Sequence, residues 1–392
     1  MPSKNLSEDL IIGILSRLPV KSLLRFRCVC KPWCALITDS AFIKMHLTQS
    51  LATNTNLTLI VNKSKSIDLY SVDLDACELN QPFKSPIFRP TDILGSCNGL
   101  LCISNCNNDM YLWNPSTRSH HKLPSTPTDY IPYHCAAYGF GYDPTTDDYK
   151  LIRVWQFYRN DDNSWHSEVK VYSLSTNSWR MIGDMPFPPI KRQWVCGVLA
   201  NSALHWVANV DLVLAKVSPG HHESGLGLIV SFDLKDEEYR EVPLPDFMDD
   251  VDIVDDKFLM KVGVLEGQLC LLINFSIRVE IWVMKDYGVR DSWLKQFSNE
   301  RRDVIQNFFK VTPVCYLKNG EVILRGSHRP LLLYDPHRGR TRLLRTSAPG
   351  SLDIDFYLGR IIDIDICVGS LVPLNIPRME LNKKKIKKRK QR

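Results

Sequence analysis

No stretch of the 392-residue sequence approaches the roughly 18 consecutive apolar residues of a membrane-spanning helix. The N-terminal segment also lacks the basic-then-apolar layout of a secretory signal, so a soluble intracellular protein without a membrane role is expected. The 12 cysteines are scattered and no C-x-x-C pair occurs, which points to reduced thiols rather than to disulfide staples or a zinc site. Without a secretory route, the sequons at Asn5, Asn56, Asn62 and Asn274 carry no expectation of glycan.

Catalytic and cofactor motifs are equally sparse. Gly139-Phe140-Gly141 lacks a third glycine and a following helix, no Walker-type phosphate loop is present, and no G-x-S-x-G elbow occurs. The adjacent pairs His120-His121 and His221-His222 fall outside any H-E-x-x-H or zinc-finger spacing. Cys97, Cys102 and Cys106 have no activating partner in the sequence, so thiol-ligase chemistry is not supported. The acidic stretch 246–256 lacks the D-x-D-x-D-G spacing of a calcium loop. The expectation is a non-enzyme with no catalytic residue, no cofactor and no metal. Within that stretch Asp249, Asp250 and Asp252 are weak candidates for attracting a basic target.

The formal net charge of +6 resides in one place. Eight of the 49 Lys and Arg lie in 383–392, leaving 41 against 43 Asp and Glu elsewhere. Nucleic-acid binding is therefore not the expected main function. The tail itself, Lys383, Lys384, Lys385, Lys387, Lys388, Arg389, Lys390 and Arg392, reads as a nuclear-localisation signal, with a solvated tail or an anionic contact as alternatives.

The chain has two textures. Leu6, Leu10, Ile11, Ile14, Leu15 and Leu18 recur at steps of three and four, as on one face of a helix that Ser7 caps and Pro19 stops. Further helices are expected in VKSLLRFRCVCK, in PWCALITD, and in AFIKMHLTQ behind an Asp39-Ser40 cap. From about Leu57 onward, short Val, Ile, Leu and aromatic runs alternate with Asn, Asp, Gly and Pro, which is strand-and-turn chemistry. One unit recurs there, a strand ending in an aromatic residue and followed by a turn, with anchors Tyr70, Trp113, Tyr172, Phe232, Trp282 and Tyr334. A strand precedes most copies, in NLTLIVN, GLLCIS, YKLIRV, ALHWVA, QLCLLIN and EVILRG, so each pair reads as a hairpin.

A single hairpin cannot bury both its faces, whereas four-stranded sheets stacked around an axis can. The spacing gives about six blades of a β-propeller, with five or seven blades or an open β fold as alternatives. The aromatic anchors are assigned to inter-blade packing. Asn98-Gly99 and Asn319-Gly320 read as type I′ hairpin turns, and Asn114-Pro115 and Asp143-Pro144 as turn starts.

The segment LSEDLIIGILSRLPVKSLLRFRCVCKPWCALI, 6–37, resembles the F-box, the helical module by which substrate receptors dock on the SKP adaptor of SCF ubiquitin ligases. The resemblance assigns Leu6, Leu10, Ile14, Leu15, Leu18, Pro19, Leu23, Val29, Cys30 and Trp33 to adaptor-binding or core positions. Two positions depart from the family pattern, Ser7 in place of a proline and Gly13 in place of an acid. Downstream, ILGSCNGLLCI, LWNPSTR, YGFGYDPTTDDYKLIRV and VYSLSTNSWR are similar to the F-box-associated domain of plant F-box proteins, often called F-box/kelch-repeat proteins.

The resemblance implies an all-α F-box over 1–50, an all-β, kelch-like propeller for substrate recognition over 51–378, and a basic disordered tail over 379–392. The resemblance implies the substrate-recognition subunit of an SCF-type ubiquitin ligase. Its partners would be the SKP adaptor, cullin and RING subunit through that adaptor, and a protein target on the β-domain. Residence in nucleus and cytoplasm is expected. The resemblance extends to F-box proteins of immunity control and of the pollen S-locus. The alternative readings are a pollen S-locus F-box protein recognising secreted ribonucleases, a SKP-bound scaffold without a ligase role, and a ligand-binding propeller.

Overall fold

The computed structural model of the chain describes residues 7–63, 68–74, 78–79, 83–87, 91–105, 107–126, 134–159, 161–162, 164–187, 194–209, 227–246, 258–275, 278–300, 311–326, 331–338, 340–344 and 361–374. Four helices come first: α1 (Glu8–Leu15), α2 (Val20–Phe26), α3 (Lys31–Thr38) and α4 (Ser40–Ala52). Ser7 caps α1 by accepting from the Leu10 amide at 3.4 Å, and Asp39 caps α4 by accepting from Ala41 and Phe42 at 2.9 and 3.1 Å. The second helix is shorter than the sequence suggests. The amides of Cys28 and Val29 bond back three residues, to Arg25 and Phe26, and Cys30 is fully extended. An extended residue is the usual N-cap of a new helix, and Pro32 fits the first turn of that helix because its missing N–H has no partner to lose there, so Cys28, Val29 and Cys30 form a corner rather than a helical turn.

Six sheets follow, antiparallel but for one added strand and arranged as the six blades of a propeller. Blade 2 holds Thr91–Cys97, Leu100–Asn105, Met110–Asn114 and Ser119–Lys122. Blade 3 holds His134–Asp143, Asp148–Arg159, Ser164–Ser173 and Ser178–Gly183; blade 4 holds Val198–Ala200, Ala203–Asn209, Gly227–Asp233 and Tyr239–Val242. Blade 5 holds Leu259–Leu265, Gln268–Asn274, Arg278–Met284 and Trp293–Glu300; blade 6 holds Val311–Tyr316, Val322–Gly326, Leu331–Asp335 and Arg340–Leu343. Blade 1 is built from both ends of the domain: Ile361–Val368 is its innermost strand and pairs with Leu57–Lys63, which pairs with Asp68–Asp73. Two short strands, Glu78–Leu79 and Phe83–Lys84, complete it.

Each aromatic anchor of the repeat lies on the third strand of its blade, and each contributes to a different apolar cluster, one per blade interface. Trp113 packs with Ile60 and Leu69 of blade 1, Tyr172 with Leu112 of blade 2, Phe232 with Ile152 of blade 3 and Tyr334 with Leu272 of blade 5. Those four are buried, while Tyr70 and Trp282 are half-buried against their clusters. The inter-blade role read from the repeat is what the structure shows.

Recurrent polar staples join the blades as well. Trp179 of blade 3 donates its indole N–H to the Pro124 carbonyl behind blade 2 at 2.9 Å, and Trp293 of blade 5 does the same to Pro243 behind blade 4 at 2.8 Å. The Lys150 ammonium, buried between blades 3 and 4, meets Asp143 at 3.0 Å and Glu237 at 3.1 Å. Asp143 is held below the usual carboxylate range. Burial opposes that shift, but the Thr146 hydroxyl, the Lys150 ammonium and the Thr145 amide outweigh it.

The turn readings divide. Asn98 and Gly99 both have positive φ, 53° and 81°, as a type I′ turn demands. At the second site only Gly320 does, at 83°. Its amide bonds to the Leu317 carbonyl at 2.9 Å, giving a type I turn closed by a glycine bulge, because the loop there is longer than two residues. Asn114 and Asp143 start turns as expected, accepting from Ser116 and Thr117 and from Thr145. Trp194–Cys196, added parallel to the innermost strand of blade 3, is a pairing the repeat pattern does not foreshadow.

Candidate docking surface

The helices sit on one end of the propeller. Leu15, Val20, Leu23, Ile37, Phe42, Ile43 and Leu47 belong to the same apolar cluster as Cys97 and Leu100 of blade 2 and Phe140 and Tyr149 of blade 3. Leu371 and Val372, just past the closing strand, complete the seam, and Asn114 holds them by donating its side-chain amide to the Ser370 and Val372 carbonyls at 3.0 and 2.9 Å. The Gly369 amide donates to the Asn56 carbonyl at 2.7 Å, and Lys44 of α4 pairs with Asp147 of blade 3 at 2.6 Å. His46 is fully buried, and because a carbonyl can only accept, its Nε2–H donates to Leu18 O at 2.9 Å.

The sequence-derived docking residues divide between two faces. Leu15 and Leu23 are 1% and 0% exposed and hold the helices to the propeller. Leu10, Ile14 and Val29 are 56%, 52% and 61% exposed, and Pro19 and Cys30 are exposed beside them in sequence. Leu10 and Ile14 are four residues apart on α1 and therefore neighbours on one face. Leu18 and Trp33 are half-buried, Trp33 with its ring 5.5 Å from that of Phe26. Leu6 lies outside the described residues, as do Asp249, Asp250, Asp252 and the whole basic run from Lys383 to Arg392. The acidic stretch begins in described chain at Asp246, which pairs with Arg290.

Neither departure at the first helix breaks it, although Gly13 weakens it by its low helix propensity. Ser7 supplies the cap that the usual proline does not, and a Cβ on Gly13 would meet nothing within 4 Å. Three further exposed apolar side chains, Tyr287, Val289 and Leu294, lie on blade 5 or the connection 285–292 within it.

Antiparallel strands place successive connections at alternate ends of a sheet. The end that carries the helices has short turns such as 98–99, 201–202 and 266–267. The longest connections, 210–226, 243–258 and 344–360, all join strand ends of the opposite polarity.

The comparisons with known proteins match this division. A model of the F-box domain matches residues 4–45, and a model described as the F-box associated beta propeller domain matches residues 55–344. The chain belongs to the F-box proteins with an associated β-propeller. F-box protein CPR1 of Arabidopsis thaliana is 34% identical over 379 residues, covering 90% of this chain and 88% of that protein. F-box protein At3g07870 of the same plant is 30% identical over 383 residues, covering 86% of each chain. F-box/kelch-repeat protein At3g23880, again from Arabidopsis thaliana, is 27% identical and covers 91% of this chain and 95% of its own. In this F-box, then, Leu15 and Leu23 are sealed against the propeller while Leu10, Ile14 and Val29 are left exposed.

Proposed function

We propose that the protein is the substrate-recognition subunit of an SCF-type ubiquitin ligase, with the SKP adaptor on the exposed helical face and a protein target on the propeller. The observation that carries the reading is the division of the F-box: Leu15 and Leu23 are sealed against the propeller while Leu10, Ile14 and Val29 face solvent. Apolar side chains exposed at such fractions on consecutive elements of a small module are the mark of a partner surface. The adaptor links the chain to cullin and the RING subunit. The protein contributes proximity rather than chemistry, since a target held in the complex meets the charged conjugating enzyme at high effective concentration.

Target capture is assigned to the end of the propeller opposite the helices, where the strand ends joined by 210–226, 243–258 and 344–360 lie. The basic run from Lys383 to Arg392 is assigned to nuclear import, and truncation after Leu381 should abolish nuclear accumulation while leaving adaptor binding intact. The test of the whole reading is a substrate trap. A chain carrying Leu10→Asp and Ile14→Asp, expressed in plant cells, should retain a protein that the wild-type chain directs to degradation, and that protein should accumulate. Equal turnover of every captured protein with both chains would refute the receptor role.

A further inference from the structure

We infer that the corner between α2 and α3 is a thiol-modification site, at which Cys28 and Cys30 form mixed disulfides with a low-molecular-weight thiol of the glutathione type, closing the docking surface. The inference rests on the adaptor-binding reading of that surface.

Apart from Cys196, exposed on the propeller, the described cysteines fall into two groups. Cys97, Cys102, Cys270, Cys315 and Cys367 are buried in the blades. Burial raises the thiols of Cys97, Cys270 and Cys367 to about 12, and such groups do not exchange with disulfides. The second group concentrates in the F-box, where Cys28 and Cys30 are exposed and Cys34 is half-buried. The corner geometry explains the exposure. The chain leaves α2 at Phe26 and turns through i−3 bonds at Cys28 and Val29, and Cys30 is extended with no capping hydrogen bond from its side chain.

The surroundings suit an anionic disulfide reagent. Arg25, Arg27 and Lys31 are all exposed and flank the two thiols in sequence, and glutathione disulfide carries net negative charge. In the reaction a thiolate of Cys28 or Cys30 attacks one sulfur of the disulfide. A protein–glutathione S–S bond forms, the reagent's own S–S bond breaks, and the departing glutathione thiolate takes up the proton the cysteine has released to solvent. The disulfide is the oxidant and one glutathione thiol is released per cysteine modified. Val29, between the two thiols, is the most exposed of the apolar docking side chains. An adduct beside it brings two carboxylates into a contact that must desolvate to form.

The experiment uses the full-length protein and a purified SKP adaptor. Treatment with glutathione disulfide should add the mass of glutathione to the peptide containing Cys28 and Cys30. Adaptor capture should then fall about tenfold or more, as a buried unpaired charge in an interface demands, and dithiothreitol should restore it. A Cys196→Ser chain, which lacks the exposed propeller thiol, should lose capture on treatment as the wild type does. In a Cys28→Ser/Cys30→Ser chain the ratio of treated to untreated capture should be near one, whatever its starting affinity. Undiminished capture by wild-type protein bearing the adduct, or an adduct found elsewhere and not on these cysteines, overturns the inference. Failure of the untreated protein to bind the adaptor would instead defeat the docking reading, and the modification's role with it.

Discussion

At Gly13 the added methyl of an alanine would meet no atom within 4 Å. Gly13→Ala should therefore stabilise the protein by about 1 kcal/mol through helix propensity alone, seen as a rise in denaturation midpoint at unchanged adaptor affinity. The docking residues respond in opposite ways. Leu23→Ala removes a fully buried side chain and should cost about 2–5 kcal/mol, whereas Leu10→Ala should leave the melting temperature within experimental error. His205 gives a pH signature. It is buried with Nε2 accepting from the Tyr287 hydroxyl at 2.7 Å and Nδ1–H donating to Val198 O, and burial lowers its imidazole from 6.5 to about 4. The unfolded chain thus binds the proton more readily. The stability His205 contributes is complete above pH 6.5 and is lost progressively as pH falls from about 6.5 to about 4. Urea melts between pH 7 and 5 should show the decline, and His205→Gln should flatten it.

At the scale of elements, the second and third strands of each blade were legible because hydrophobic runs, aromatic anchors and turn residues coincide there. Leu100–Asn105 with Met110–Asn114 is an example, six buried residues followed by Trp113 and the Asn114 turn. Outer strands were not legible. Ser178–Gly183 is mostly exposed, so its sequence carries little pattern beyond Trp179, whose indole bond to Pro124 is a tertiary contact. The exposed and buried members of the docking set were indistinguishable for a related reason. One helical stripe is apolar all along, and only the propeller's position decides which part of it is covered. The same packing favours α1 for disrupting docking over Leu18 and Pro19. The Leu18 side chain packs against the cluster that seals the helices to the propeller, and Pro19 is the N-cap of α2, so changes there disturb the seam along with any partner.

For the whole molecule, closure is the controlling feature. The strand Ile361–Val368 completes blade 1, and its alternating Ile and Asp had not marked it as the partner of a strand 300 residues earlier because pairing across the termini leaves no local signal. Truncation after Leu344 should abolish cooperative unfolding, whereas truncation after Leu381 should leave it unchanged, as calorimetry would show. Helices and blades share one apolar cluster, so they should melt in a single transition, and the docking face is then held rigidly relative to the propeller. The central claim is that this face receives a SKP adaptor. The most direct measurement is the affinity of purified full-length protein for the adaptor, beside a Leu10→Asp/Ile14→Asp chain shown by calorimetry to be folded. Binding by the wild type with a loss of about 2 kcal/mol or more in the variant is the result expected of central apolar contacts. No binding by folded wild-type protein, or equal binding by both chains, would contradict the account.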